Sequence, residues 1–343
     1  MNNFSHTKAK WWHYDQKGRT VCTLCPRYCA LSEGQAGFCY VRKNIDGKLY
    51  TLSYGRPTGF AIDPIEKKPL FHFLPGSEIL SFGTAGCNLG CVFCQNWTMS
   101  KARTDDLNAL HATAEEVIEL VKKYNVPSIA YTYNDPTVFA EYVIDIAEIA
   151  RQENIKSVMV TAGYIDKEAR KEVYKDIDAA NVDLKAFSEE FYVKLTNSHL
   201  NDVLDTLKWL KNETDIWIEI TTLLIPGEND SPEELKRMCD WITENLGDDI
   251  PHHFTAFHPD FKLRDKARTS LQTLKNAAAI AKQAGMKYVY LGNVSDTASQ
   301  TTFCPHCGTA LIKRDWHSIS FNALADSNKC PKCGTTISGI FKR

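Results

Sequence analysis

No run of about 18 apolar residues occurs anywhere in the 343-residue chain, so no membrane-spanning helix is expected. The opening stretch, MNNFSHTKAKWWHYD, has no apolar centre and no small-residue cleavage site, and no secretory signal is read there. Charge of one sign is also missing. Lys and Arg total 40 against 42 Asp and Glu, a net charge of −2, too small to draw the chain to anionic membranes. It gives no support to a nucleic-acid partner either, and that question stays undecided. The expected compartment is the cytosol, with no membrane partner. At 43% hydrophobic and 24% charged residues, the composition is that of a globular protein with one large domain and small attachments.

Cysteine, by contrast, is abundant. Twelve are present, and in a reducing cytosol they do not read as a disulfide framework. They fall into sets: Cys22, Cys25, Cys29 and Cys39; Cys87, Cys91 and Cys94; Cys304, Cys307, Cys330 and Cys333; and a lone Cys239. The last set forms two CPxCG knuckles 22 residues apart. Gly308 and Gly334 permit the tight turn each needs. Two knuckles make a closed tetrahedral sulfur site, with zinc the default metal and a rubredoxin-like iron the rival. A module this small has too little core to fold unaided, so the metal is expected to hold it together. The first set, CTLCPRYCALSEGQAGFC, suits either zinc or an iron–sulfur cluster, with all four cysteines or only three of them as ligands. Cys239 shares a helical face with Leu235, Met238 and Ile242 and reads as a buried small hydrophobe. The Trp11–Trp12 pair reads either as an anchor for the N-terminal region or as exposed surface.

The middle set is embedded in an alternating pattern. Strand-like runs occupy 78–84, 128–133, 157–162, 181–187, 215–225, 252–258 and 287–292. Amphipathic helix patterns lie between most of them: 113–124 with a Thr113–Glu116 capping box, 136–153 with Pro136 in its first turn, 231–246 from Ser231, and 271–285 ending on Gly285. Repeated βα units predict an α/β fold with a parallel sheet, a full or partial (β/α) TIM-like barrel. The expected division is 1–74 for an N-terminal four-cysteine module, 75–297 for the barrel and 298–343 for a C-terminal zinc-ribbon or rubredoxin-like module.

In such barrels the chemistry gathers where strands end. The first strand empties into GCNLGCVFCQNW, the second into Tyr133-Asn134-Asp135-Pro136 and the third into Thr161-Ala162-Gly163-Tyr164. Asp183 and Lys185 lie near the end of the fourth, two residues apart, a spacing that puts both side chains on one strand face. Asn229, His258 and Asn293 follow the later strands. Three cysteines without a fourth leave a metal centre with an open position.

The C-x3-C-x2-C loop, with Phe93 before its last cysteine, resembles the radical SAM superfamily. Together with CTLCPRYCALSEGQAGFCYVRKN, AYTYNDPTVF, NVDLKAF, LLIPGENDS, HFTAFHP and the closing CPHCG and CPKCG, it is similar to enzymes of the AmmeMemoRadiSam system. These lie close to pyruvate formate-lyase activating enzymes. The resemblance implies that Cys87, Cys91 and Cys94 hold three irons of a 4Fe-4S cluster and that S-adenosylmethionine (SAM) takes the fourth. It implies cofactor contacts for Phe93 near the adenine, for Tyr133, Asn134 and Asp135 near the methionine amino group, for Asp183 and Lys185 near the carboxylate, and for His258. Asp135 stands where relatives often carry Glu. Ala162 stands where they carry an amide, so no polar side-chain contact is assigned to it.

The implied reaction is reductive cleavage of SAM to a 5′-deoxyadenosyl radical that abstracts hydrogen, fed by a donor such as flavodoxin or ferredoxin. Three fates for that radical remain open: activation of a protein substrate; modification of a small molecule, peptide or nucleic acid; or, if no radical forms, a non-catalytic metal-stapled scaffold. The C-terminal module either recognises a macromolecule or plugs one end of the barrel.

Overall fold

The computed structural model describes residues 7–342. Eight strands pair in chain order: β1 (Thr58–Pro64), β2 (Glu78–Gly83), β3 (Ser128–Tyr131), β4 (Lys156–Thr161), β5 (Ala179–Asp183), β6 (Trp217–Leu224), β7 (His252–Ala256) and β8 (Val289–Gly292). β1 runs antiparallel to β2, and every later strand runs parallel to its predecessor. Among the described residues no pairing joins β8 to β1, so the sheet is an open, partial barrel. All seven expected strands are present. β1 was not expected: it is a half-exposed edge strand carrying Gly59 and Pro64, which disguise its alternation.

The longer helices are α1 (Ala114–Tyr124), α2 (Ala140–Gln152), α3 (Lys167–Val173), α4 (Leu200–Glu213), α5 (Pro232–Leu246) and α6 (Leu271–Gln283). The capping box forms as the sequence indicates: Glu116 N donates to Thr113 Oγ1 at 3.2 Å, and Thr113 N donates to Glu116 Oε2 at 2.7 Å. Ser231 and Ser270 cap α5 and α6. Pro136 opens a short 3-10 turn, Pro136–Phe139, and the α-helix starts after it. α3 and α4 were not foreseen, although Leu200, Val203, Leu204, Leu207 and Leu210 of α4 are buried at helical spacing.

One expectation needs correction. The strand read as 181–187 stops at Asp183. Leu184 N donates back to Val182 O at 3.1 Å, an i to i+2 bond that turns the chain tightly at Asp183. Strand alternation therefore does not relate Asp183 to Lys185; their side chains meet through an ion pair across the turn.

The N-terminal region is two small antiparallel sheets, one of Trp12–Tyr14, Thr20–Cys22 and Ala30–Leu31, the other of Thr7–Lys8, Arg42–Ile45 and Lys48–Thr51. It shares a core with the barrel, and Trp11 and Trp12 pack half-buried against that core, the anchoring alternative. Arg42, 2% exposed, donates to both carboxylate oxygens of Glu141 on α2 at 2.9 and 2.8 Å. Removing one partner of such a pair costs about 3–5 kcal/mol. Cys239 is fully buried in the main core, as read from its helical spacing.

A three-stranded ribbon, β9 (Thr302–Phe303), β10 (Ala310–Asp315) and β11 (Ser318–Asn322), builds a second core with Phe71 and Tyr290. Buried Arg314 donates to Phe71 O at 2.7 Å and Thr302 Oγ1 at 2.9 Å. His72 Nδ1 donates to Ser338 O at 2.7 Å, which leaves Nε2 to accept from Tyr290 Oη at 2.6 Å. Burial pushes the His72 pKa down to about 4, so the ring is neutral. Glu219, at the start of β6, accepts from Phe71 N, His72 N and His253 Nε2 at 2.9, 2.7 and 2.7 Å. Glu219, His253 and Tyr290 lie near the starts of barrel strands, so the ribbon plugs the barrel end opposite the cysteine loop.

Candidate active site

The loop between β2 and the next helix carries Cys87, Cys91 and Cys94, and three neighbours hold it in place. Asn134, just past β3, accepts from Thr84 N at 3.1 Å and donates to Gly86 O at 2.7 Å. Asn88 donates to Tyr164 O, past β4, at 2.7 Å. Lys101 Nζ donates to Leu89 O at 2.7 Å. The close packing demands glycine at residue 86. Its φ is +82°, and a Cβ there would lie 2.1 Å from Cys39 O.

The three cysteines line one cavity of about 150 Å³ with Tyr133, Asn134, Asp135, Thr161, Ala162, Asp183 and Lys185. Larger depressions exist, one of about 580 Å³ beside Phe38 and Arg103 and one of about 1040 Å³ beside Lys156 and Asp178, but neither gathers thiols. The fold thus brings eight of the ten expected triad and cofactor residues to one place. Phe93 and His258 do not line the cavity. Phe93 is buried against Phe191 at 5.8 Å between ring centroids, and exposed His258 pairs through Nδ1 with Gln95 Nε2 at 3.0 Å.

Hydrogen bonding on the cavity wall sorts these side chains. Asp135 Oδ2 accepts from Ala162 N at 2.8 Å and Thr161 Oγ1 at 3.1 Å, and Oδ1 accepts from Thr137 N at 3.0 Å. Ala162 contributes through its backbone, consistent with its having no polar side chain. Tyr133 has φ +71°, unusual for a residue with a Cβ, and its hydroxyl donates to Asp63 at 3.3 Å. Lys185 Nζ donates to Asp183 Oδ2 at 2.9 Å. Burial opposes a charge on Lys185, but Asp183 and the neighbouring Cys91 outweigh it and hold its pKa above the ordinary lysine value. Burial, helped by Asp135, pushes the Cys87 thiol up to about 12, and burial pushes Cys91 up to about 11 despite Lys185 and Lys101. Thiols held this firmly protonated ionise when a metal displaces the proton.

Three residues escaped the sequence reading. Asn96 donates to Tyr133 O at 2.9 Å, Ser100 Oγ lies 3.1 Å from Cys94 Sγ, and Lys101 braces the loop as above. Their signal was position alone, within seven residues of Cys94.

The donor set matches the group expected of it. The three thiols share one cavity wall, and a cluster takes one thiolate on each of several irons. No fourth cysteine lines the cavity. The residues fit a cluster with one open iron. The C-terminal quartet is different: Cys304 and Cys333 sulfurs lie 3.6 Å apart, Cys307 and Cys330 3.7 Å, and all four ligand atoms lie within 4.8 Å. Four thiols at that spacing could hold one metal ion. Among the described residues, no helix is long and apolar enough to cross a membrane.

The family model described as the radical SAM superfamily matches residues 82–242. Uncharacterized protein MJ0808 of Methanocaldococcus jannaschii is 42% identical over 317 residues, covering 92% of this chain and 94% of that protein. The pyruvate formate-lyase-activating enzyme of Clostridium pasteurianum is 24% identical over 212 residues, 56% of this chain and 84% of that one. Among solved structures, a radical SAM methyltransferase from Sphaerobacter thermophilus superposes with a TM-score of 0.51 at 16% identity, over 69% of this chain and 71% of that one, a likeness of fold. With its open parallel barrel and three-thiol loop, the chain is an enzyme that belongs to the radical SAM superfamily.

Proposed function

We propose that Cys87, Cys91 and Cys94 bind three irons of a 4Fe-4S cluster and that SAM binds beside it, against the wall formed by Tyr133, Asn134, Asp135, Asp183 and Lys185. One observation carries this reading: three thiols and a lysine–aspartate pair share a cavity wall that has no fourth cysteine. When bound, the cluster and SAM supply a 5′-deoxyadenosyl radical by one-electron reduction. The chain's own residues orient them. Lys185 offsets the SAM carboxylate, Asp183 fixes the lysine, and the Tyr133–Asp135 segment lines the side where the methionine amino group is seated. Phe93 supports the loop by packing, and His258 by holding Gln95. The Cys304, Cys307, Cys330 and Cys333 site holds zinc, and the chain divides near residues 74 and 297.

The receiving substrate in this reading is a partner protein on which a glycyl radical is made. Support comes from relatives bearing that name, including a putative glycyl-radical enzyme activating enzyme of M. jannaschii, MJ1632, 23% identical over 186 residues. The test is anaerobic reconstitution, reduction with dithionite, and chromatography for 5′-deoxyadenosine. Product is expected even without substrate, and none from the Cys87→Ala, Cys91→Ala, Cys94→Ala variant. A fully loaded, reduced wild-type protein that makes none refutes the reading.

A further inference from the structure

Cys22, Cys25, Cys29 and Cys39 line one small cavity of their own. Their spacing discriminates between metals. Zinc binds thiolate at about 2.3 Å, so a tetrahedral site sets its sulfurs about 3.8 Å apart. The C-terminal quartet meets that requirement. Among the described residues, the N-terminal quartet does not bring even three ligand atoms within 4.8 Å of one another, and in this it matches the triad. This spacing is not that of a single-ion site, and a cluster, where each sulfur serves a different iron, is the arrangement these four donors still suit.

Position is the second observation. The carbonyl of Cys39 presses on Gly86, the residue before Cys87. Asn88 lines the quartet cavity, while its neighbours Cys87 and Leu89 line the triad cavity. On the far wall Thr137 lines the quartet cavity and Asp135 the triad cavity. One thickness of loop separates the two. Arg27 spans the join, donating to Asn88 O and Asn197 O. Arg27 and buried Arg42 also line the quartet cavity and offset thiolate charge there, although Glu141 takes up part of the charge of Arg42. A structural staple needs no contact with the catalytic loop.

We propose that the N-terminal quartet holds a second 4Fe-4S cluster and serves as the electron entry to the triad centre. A one-electron donor of the flavodoxin or ferredoxin class is oxidised as the quartet cluster is reduced. Passing that electron on reoxidises the quartet cluster and reduces the triad centre by one, with no bond made or broken and no proton moved. The relay, though not the cluster itself, rests on the radical SAM reading of the triad.

The decisive sample is the full chain carrying Cys87→Ala, Cys91→Ala and Cys94→Ala, reconstituted anaerobically with iron and sulfide. It is expected to retain about four irons, about half the wild-type content, and to give a 4Fe-4S electron paramagnetic resonance signal on dithionite reduction. A variant with no iron and two zincs overturns the proposal. Wild type that cleaves no SAM, beside a triad variant that keeps its four irons, would sink the function proposed above and leave this site standing. For the relay, the growth of the reduced triad signal is compared with reduced flavodoxin and with dithionite. In Cys25→Ala the flavodoxin-to-dithionite rate ratio should fall at least tenfold, and an unchanged ratio overturns electron entry here. The iron count on the triad variant holds whether or not Cys25→Ala folds.

Discussion

Replacing Lys185 with Met keeps most of the side-chain volume and removes the charge. The fold should tolerate it, because the backbone of Lys185 is held independently: its carbonyl accepts from Asn229 Nδ2 at 2.7 Å, and its N–H donates to Tyr192 Oη at 3.1 Å. What is lost is the ammonium facing the cavity. Among the described residues its one hydrogen bond to protein goes to Asp183, and an ammonium has three protons to donate, so capacity remains for a ligand carboxylate. A charge-assisted bond contributes about 1.5–3 kcal/mol. The side chain of Asp183 is 36% exposed, so water screens part of the local field and the lower half of that range applies. The expected result is SAM binding weakened roughly tenfold to fortyfold. Equilibrium dialysis with anaerobically reconstituted protein measures it, iron content being matched between variant and wild type. Cys239→Ala, in the core and away from the cavity, serves as the control and should bind as wild type does. Unweakened SAM binding in Lys185→Met at equal iron would refute the placement of the carboxylate.

Cys330→Ser should lower zinc content by one equivalent and raise protease sensitivity beyond residue 300; metal analysis showing unchanged zinc would refute the closed site. Stability should rise with pH between about 5 and 6.5, since burial lowers the pKa of His72 to about 4 and of His252 to about 3. Both rings stay neutral when folded, so in that window the unfolded chain binds more protons. Each contributes up to about 1.4 kcal/mol per pH unit, and the contribution is lost as pH falls below the unfolded value. Denaturant unfolding at pH 5 and 6.5 checks it, and equal stabilities would show that the rings are not buried as described.

Periodicity revealed most of the barrel because parallel strands between amphipathic helices repeat strong local signals. It missed β1, an edge strand weakened by Gly59 and Pro64, and α3, whose seven residues are too few for a helical period. The thiol loop was legible from spacing. The Asp183–Lys185 pair was found for the wrong local reason: the tight turn at Asp183 depends on a backbone bond that no residue type announces. The plug at the strand-start end was posed only as an alternative, because its contacts span long separations, such as Arg314 to Phe71 and His72 to Ser338.

The cavity wall divides its labour in a way the sequence could not reveal. Asn134 and Asp135 sit where ligand contacts were expected, yet their polar atoms are spent on the protein. The Asn134 amide closes on Thr84 and Gly86, and both Asp135 oxygens accept from residues 137, 161 and 162. Aspartate in place of glutamate fits this bracing role, since a short carboxylate reaches neighbouring backbone N–H groups from its own turn. Spare bonding capacity on the wall then rests with Lys185, with the second oxygen of Asp183 and with the thiols themselves. The residues after β3 hold the cysteine loop in shape, and Asp183 and Lys185, at the end of β5, present charge to the cavity. Loss of Asn134 or Asp135 would therefore act first on the placement of the thiols, and loss of Lys185 on the ligand alone.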